Sequence, residues 1–302
     1  MIDREPVSSQ SELKFLVAGV ARNCEKTIQK DVLRLSESLK GCKALSWLVV
    51  ESDSSDKTLD ALSSLERDVA DFRFLSFGSL QQSIPIRTER IALCRNAYLD
   101  ELKSNPIYSE VDFVVIADFD GVNDLITPEG VESCWTRSDW DVCTANQRGP
   151  YYDIWALRHP IWNPNDCWKQ YDFLRSHNTQ REVAAWAAMY TKMITIGETE
   201  EWIPVDSAFG GLAIYRRRAL DDVRYAGVDE SGEPLCEHVW LHSQIRSKGY
   251  RIFINPKLIN TANTDQAFQR SLPQTLRRYF LDLRHQAKVK LLNLAPRSAK
   301  IG

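Results

Sequence analysis

The sequence has no apolar run near the roughly 20 residues of a membrane span, no C-x-x-C pair, no low-complexity tract and little net charge. Each absence excludes something. With short apolar runs and a polar first ten residues, neither a membrane-spanning helix nor a secretory signal is expected. The seven cysteines, at 24, 42, 94, 134, 143, 167 and 236, are odd in number and scattered. They announce no zinc site and point to reduced thiols in a cytosolic compartment. A formal charge of -3, from 38 basic and 41 acidic residues, gives no overall attraction to nucleic acid, so no nucleic-acid partner is expected. With 43% hydrophobic residues, 13 Gly and 12 Pro, the composition is that of a globular protein and excludes disorder and collagen.

What is present is alternation. Residues 15–21 (FLVAGVA) form a near-continuous apolar run that suits a parallel strand buried on both faces. Asn23 can cap a following helix, in which Ile28, Val32, Leu35 and Leu39 recur at helical spacing before Gly41 ends it. Strands then read over 45–50, 72–77 and 111–117, and helices over 56–65 and 88–102. This order predicts an α/β fold whose parallel sheet carries crossover helices. In such sheets ligands sit beyond the carboxyl ends of the strands. The loops after residues 21, 50 and 117 carry Arg22-Asn23, Glu51-Ser52-Asp53 and Asp118-Phe119-Asp120.

Beyond Cys134 the pattern changes, since eight of the nine tryptophans fall between there and Trp240. Strands are expected over 141–145, 153–157, 211–215 and 250–254, and helices over 182–193 and 237–247. No linker or repeat intervenes, so one continuous domain is expected over 12–275, with a nucleotide half (12–125) and an acceptor half (126–275). Residues 276–302 hold seven basic side chains against one acid, with Leu276, Tyr279, Phe280, Leu283 and Ala287 on one helical face. That segment is either a basic amphipathic helix lying on an anionic membrane surface or a terminal helix packed on the domain.

Several residues could carry chemistry. Asp118 and Asp120, two apart after a strand, can reach one hard divalent cation, which can then hold a diphosphate; they are otherwise ordinary loop acids. Arg90 and Arg95 match phosphate oxygens as guanidinium forks, or form salt bridges. His238 and His242 share a helix face and could approach one metal, or be satisfied structural histidines. Glu237 can activate an acceptor hydroxyl as a base or orient a sugar, and Asp153 and Asp206 can accept hydrogen bonds from sugar hydroxyls. Gly210-Gly211 permits close approach to a sugar or a tight turn. Trp155, Trp162, Trp168 and Trp202 offer apolar platforms for a sugar face or simply fill the core.

The order VARNCEKTI, VVESDSSDKT, RTERIALCRN and then the acidic pair resembles the nucleotide-sugar glycosyltransferases of the GT-A fold. YYDIWALR, IPVDSAFGGLAIYRRRAL and LCEHVWLHSQIRSKGYRIFINPKL are similar to segments of the fungal capsule-associated α-1,3-mannosyltransferases, in order, over roughly 14–260. The resemblance implies a Rossmann-like, mixed and mainly parallel sheet flanked by helices, to which the sequence of 276–302 adds a basic C-terminal helix. It implies a metal-dependent transfer of a sugar, mannose for the nearer family, from a nucleoside diphosphate to a carbohydrate; the basic segment 276–302, if it meets a membrane, points to a lipid-linked glycan acceptor in surface polysaccharide synthesis. Ala21, Arg22, Glu51, Asp53, Arg90, Arg95, Asp118, Gly210 and Gly211 would bind the donor, Trp155 and Trp202 the acceptor. Asp118 and Asp120 would hold manganese or magnesium; for the third ligand absent from INPKLINTANTDQ, either His238 or His242 substitutes or the metal relies on Asp120 and the diphosphate. Glu237, Asp206 and Asp153 are the candidate catalytic carboxylates. Inverting members carry Asp where this chain has His238, which tilts the expectation toward retention. The site would lie in the cytoplasm, or peripherally at the inner membrane face. Two alternatives are an inactive GT-A scaffold that binds carbohydrate or a partner, and a sugar nucleotidyltransferase; the latter needs a glycine-rich loop, where this chain offers only Gly19.

Overall fold

The computed structural model describes residues 10–262. All described elements belong to the unit Met1–Thr264; the second unit, Asp265–Gly302, and with it the expected basic helix of 276–302, lies outside the described residues. In chain order the elements are β1 (Lys14–Ala21), α1 (Ile28–Ser38), β2 (Ala44–Glu51), α2 (Thr58–Asp68), β3 (Phe72–Ser76), α3 (Arg87–Ser104), β4 (Phe113–Ala117) and α4 (Pro128–Glu132). They continue as β5 (Val142–Gln147), α5 (Cys167–Ser176), α6 (Arg181–Ala188), β6 (Ile203–Val205), β7 (Leu212–Arg216), α7 (Glu237–Ser247) and β8 (Ile252–Thr261).

The strands form one sheet in the order β3-β2-β1-β4-β7-β5-β8-β6. β3, β2, β1 and β4 are parallel, as the alternation predicts. β7 then runs antiparallel between β4 and β5, β8 is parallel to β5, and β6 closes the edge antiparallel. The result is a mixed, mainly parallel sheet with helices on both faces. Because successive strand side chains point to opposite faces, Leu16, Ala18, Val114 and Ile116 pack with Tyr98, Leu99 and Leu102 of α3 and Leu241 and Ile245 of α7. Phe15, Val17, Phe113 and Val115 pack on the other face with Ile28, Val32 and Leu35 of α1. All seven cysteines are free thiols. Among the described residues no helix is long and apolar enough to cross a membrane.

Several expected elements differ. Asn23 caps no helix: it adopts φ 52° in a turn, and α1 begins at Ile28 after Thr27. Residues 153–157 are a turn rather than a strand, because Asp153 Oδ1 accepts the Ala156 N–H at 3.2 Å, a local bond that competes with a ladder. The helix expected over 182–193 stops at Ala188, and the Trp162 indole N–H ties down the Lys192 carbonyl at 2.6 Å. α5 and β6 were not anticipated.

Candidate active site

The loops after β1 and β2 are laced together. The Asn23 N–H donates to Ser54 Oγ at 3.1 Å, the Ser55 N–H to Asn23 Oδ1 at 2.7 Å and the Cys24 N–H to Thr58 Oγ1 at 2.8 Å. Glu51 and Asp53 organise this region from inside. Glu51 accepts the Ser54 N–H at 3.0 Å and the Ser76 hydroxyl at 2.5 Å. Asp53, at φ 59°, accepts the Leu80 and Gln81 N–H groups, both at 2.8 Å, and lies 3.2 Å from Arg90 Nε. Arg90 Nη1 donates to the Ile84 and Pro85 carbonyls at 2.6 and 2.8 Å. Ala21 is buried with its carbonyl accepting the Ser52 N–H, so of the donor residues expected on this side Arg22 alone is exposed.

At the end of β4 the two-residue period continues into the loop. Phe119 turns inward, 2% exposed, and Asp118 and Asp120 flank it. Only glycine fits opposite: a Cβ on Gly19 would stand 2.1 Å from the Ala117 oxygen and 2.7 Å from the Phe119 ring. The Asp118 backbone is held on both sides, its N–H donating to the Gly211 carbonyl at 2.9 Å and its carbonyl accepting Asn123 Nδ2 at 2.7 Å. Its carboxylate lies 3.1 Å from Arg95 Nη2. Desolvation raises the Asp118 carboxyl despite Arg95. Asp120 is exposed at the turn; the dense protein around it and then the Asp118 charge push its carboxyl up to about 6.

Two charged neighbours escaped the sequence reading. Asp31, 2% exposed, accepts the Gly121 N–H at 3.0 Å. Burial, followed by the charges of Asp120, Asp124 and Asp118, pushes it up to about 7. Its signal was present as an acid inside the apolar stripe of Ile28, Val32 and Leu35. Arg87, exposed in the first turn of α3, lowers both carboxyls of the acidic pair.

Two carboxylates that resist ionising together are a place where a divalent cation would relieve repulsion. Asp118 and Asp120 fit that role as a two-residue set; among the described residues no group of three or more His, Cys, Asp or Glu could hold a metal. His238 and His242 do share a face, with ring centroids 6.0 Å apart, but the face is turned into the core. His242 gives both ring nitrogens to Ser207 Oγ (2.9 Å) and the Tyr215 hydroxyl (2.8 Å). No lone pair is left for a metal, which removes His242 from the candidate ligands. His238 is 3% exposed and stacks on Phe209 at 3.7 Å, and burial first and Arg95 second lower its pKa well below the usual range.

Glu237 opens α7 and is buried, with Oε1 3.2 Å from Arg95 Nε. Arg95 thus bridges Glu237 and Asp118, its guanidinium lying over the Phe209 and Tyr225 rings at 5.3 and 5.7 Å. Asp153 accepts the Gly210 N–H at 3.0 Å, and burial pushes its carboxyl up to about 6. Gly210 and Gly211 have φ of 70° and 90°; a Cβ on Gly211 would stand 2.7 Å from Val122 and 3.1 Å from the Tyr152 hydroxyl. Asp206 is drawn to a half-exposed ion pair with Arg246 at 2.7 Å. Trp155 donates its indole N–H to Asp166 at 3.1 Å and packs against the core. Trp202 lies against Trp140 and Phe253 beside β6, four strands from β4 or roughly 19 Å at about 4.8 Å per strand. The two indoles expected at the acceptor therefore serve packing.

No family model matches the chain, and no curated protein does. Solved structures match at low identity. S. aureus TarS 1-349 is 16% identical with a TM-score of 0.43, over 83% of this chain and 60% of that one. Glucosyl-3-phosphoglycerate synthase from Mycobacterium tuberculosis, in complex with UDP, is 15% identical with a TM-score of 0.44, over 88% and 76%. Mannosyltransferase PcManGT from Pyrobaculum calidifontis, in complex with GDP-Man and Mn2+, is 15% identical with a TM-score of 0.48, over 100% and 68%. The chain thus spans about 60% of the TarS chain it matches. Identities this low leave every site residue to be argued from its own geometry.

Proposed function

We propose that the chain is a metal-dependent glycosyltransferase of the GT-A type, moving a sugar from a nucleoside diphosphate to a carbohydrate or lipid-linked glycan. The observation that carries this is the Asp118-Phe119-Asp120 turn at the carboxyl end of β4, where the buried Phe119 ring leaves two carboxylates flanking it, Asp118 held by Arg95 and Asp120 exposed. Asp118 and Asp120 would hold manganese or magnesium, which would offset charge on the departing diphosphate. Arg95 orients Asp118, and Asn123 with Gly211 fixes its backbone. The laced loops of β1 and β2 offer the nucleoside a preformed edge, with Arg22 at its surface.

Retention of configuration is favoured because the candidate bases are already engaged: Glu237 with Arg95, Asp153 with the Gly210 and Ala156 N–H groups, and Asp206 with Arg246. A mannosyl donor, and an acceptor reached at an anionic membrane surface, rest on the sequence resemblance and on residues 276–302. The nucleotidyltransferase alternative loses its one glycine, since Gly19 lies within β1 and packs against Ala117 and Phe119.

The test is a nucleotide-release screen with UDP-, GDP- and CMP-sugars, with manganese or with chelator, alongside Asp120→Ala. Metal-dependent release from one donor, lost in the variant, is expected. Silence with every donor, together with no nucleotide binding by calorimetry, would leave a carbohydrate-binding scaffold instead.

A further inference from the structure

Tyr152 stands between two residues whose side-chain oxygens are engaged within the fold. The Tyr151 hydroxyl is buried and accepts the Phe209 N–H at 3.3 Å. Asp153 holds the Gly210 and Ala156 N–H groups. Tyr152 is only half-buried, and among the described residues its hydroxyl has no hydrogen-bond partner. That hydroxyl lies against Gly211, 3.1 Å from where a Cβ would stand. The Gly211 carbonyl in turn receives the Asp118 N–H at 2.9 Å. The phenol therefore sits across one backbone link from the acidic turn.

On the glycosyltransferase reading, on which this step rests, the strand order lays out the donor. The nucleoside belongs at the loops of β1 and β2, and the diphosphate at Asp118 and Asp120 after β4. The next positions across the sheet are the start of β7, at Gly211, and the loop after β5, at Tyr152. The group beyond the diphosphate is the sugar. We infer that the Tyr152 hydroxyl donates a hydrogen bond to an oxygen of the transferred sugar, making it a specificity-determining contact of the donor pocket. Burial, then the charges of Asp153, Asp118 and Asp120, keep the phenol protonated by raising its pKa well above the usual range. It is a neutral donor among carboxylates, suited to a sugar hydroxyl, and no partner among the described residues has to be given up. Removing a hydroxyl that bonds only to ligand costs about one neutral hydrogen bond, or roughly a five- to tenfold loss in affinity.

The experiment is Tyr152→Phe, which keeps the ring. Calorimetry in the presence of Mn2+ would compare UDP and GDP with UDP-glucose, UDP-N-acetylglucosamine and GDP-mannose on both proteins. The expected result is that nucleoside diphosphate affinity stays within about twofold while the preferred sugar nucleotide weakens five- to tenfold. Equal weakening of the diphosphate and its sugar nucleotide would overturn the inference, placing the hydroxyl on phosphate or on packing. So would unchanged binding of the sugar nucleotide. If the wild-type chain binds none of the five compounds, the glycosyltransferase reading itself fails, an outcome distinct from a variant that behaves like wild type.

Discussion

The Arg95 guanidinium and the Asp118 carboxylate meet at 3.1 Å between Nη2 and Oδ1, and the same guanidinium reaches Glu237 at 3.2 Å. Arg95 is 3% exposed, so its buried charge is compensated by these two acids and by two aromatic rings rather than by water. Removing one partner of a buried charge network costs more than the network contributes, because the other charges remain. Arg95→Met is expected to lose about 3 kcal/mol of stability at pH 8 by urea unfolding. Without the guanidinium the Asp118 carboxyl rises further, so its burden grows as pH rises above the ordinary carboxyl range. The loss should therefore shrink at pH 5; an equal loss at both pH values would contradict the ion-pair account.

Asp31 makes a prediction of the same sign for a different reason. Its carboxyl, pushed up to about 7 by burial and by neighbouring acids, favours the folded state most below the ordinary value near 4. That contribution is lost as pH rises from about 4 through 7. Asp31→Asn keeps an acceptor for the Gly121 N–H and removes the charge. Thermal midpoints of variant and wild type should coincide near pH 4 and separate by several degrees in favour of the variant at pH 8. A variant less stable than wild type at pH 8 would show that the carboxylate is needed ionised.

Cation uptake should displace protons. With Asp120 held near 6, part of the acidic pair is protonated at pH 6, and Mn2+ binding with UDP or GDP would expel that fraction. Calorimetry at pH 6 in buffers of differing ionisation heat is expected to show proton release beyond that of Mn2+ and nucleotide without protein, smaller at pH 8 and reduced in Asp120→Asn. Heats independent of the buffer at pH 6 would place the cation elsewhere.

His242 sets an acid limit. Burial holds its imidazole neutral, with a pKa lowered to about 3, so it supports the fold above the ordinary value near 6.5. That support is lost as pH falls from about 6.5 toward 3. His242→Gln should give a shallower fall in stability between pH 6 and 4, and should leave the metal requirement of nucleotide release unchanged. A variant that no longer responds to Mn2+ would return this side chain to the metal site.

The first half of the fold was legible because parallel strands buried on both faces read as apolar runs, and 15–21, 45–50, 72–77 and 111–117 each seed an observed strand within about two residues. The acidic turn was legible for the same reason: it ends such a run. The second half was harder. α5 buries only Cys167 and β6 has three residues, so neither has a pattern long enough to stand out. Pairings across the sheet were out of reach too. That Asp118 bonds to Gly211 follows from β7 running antiparallel to β4, and the Arg90–Asp53 and Arg95–Glu237 pairs join residues far apart in sequence. His238 and His242 shared the predicted face, but spacing alone does not say whether a face meets solvent or core.

The reversed direction of β7 also decides how the molecule can move. Among the described residues, its ladders to β4 on one side and β5 on the other join the parallel strands β3, β2, β1 and β4 to β5, β8 and β6 by main-chain bonds, leaving no break in the sheet along which the two sets could part. Opening and closing around a ligand then falls to loops alone. Any motion around a ligand within the described residues would then be local.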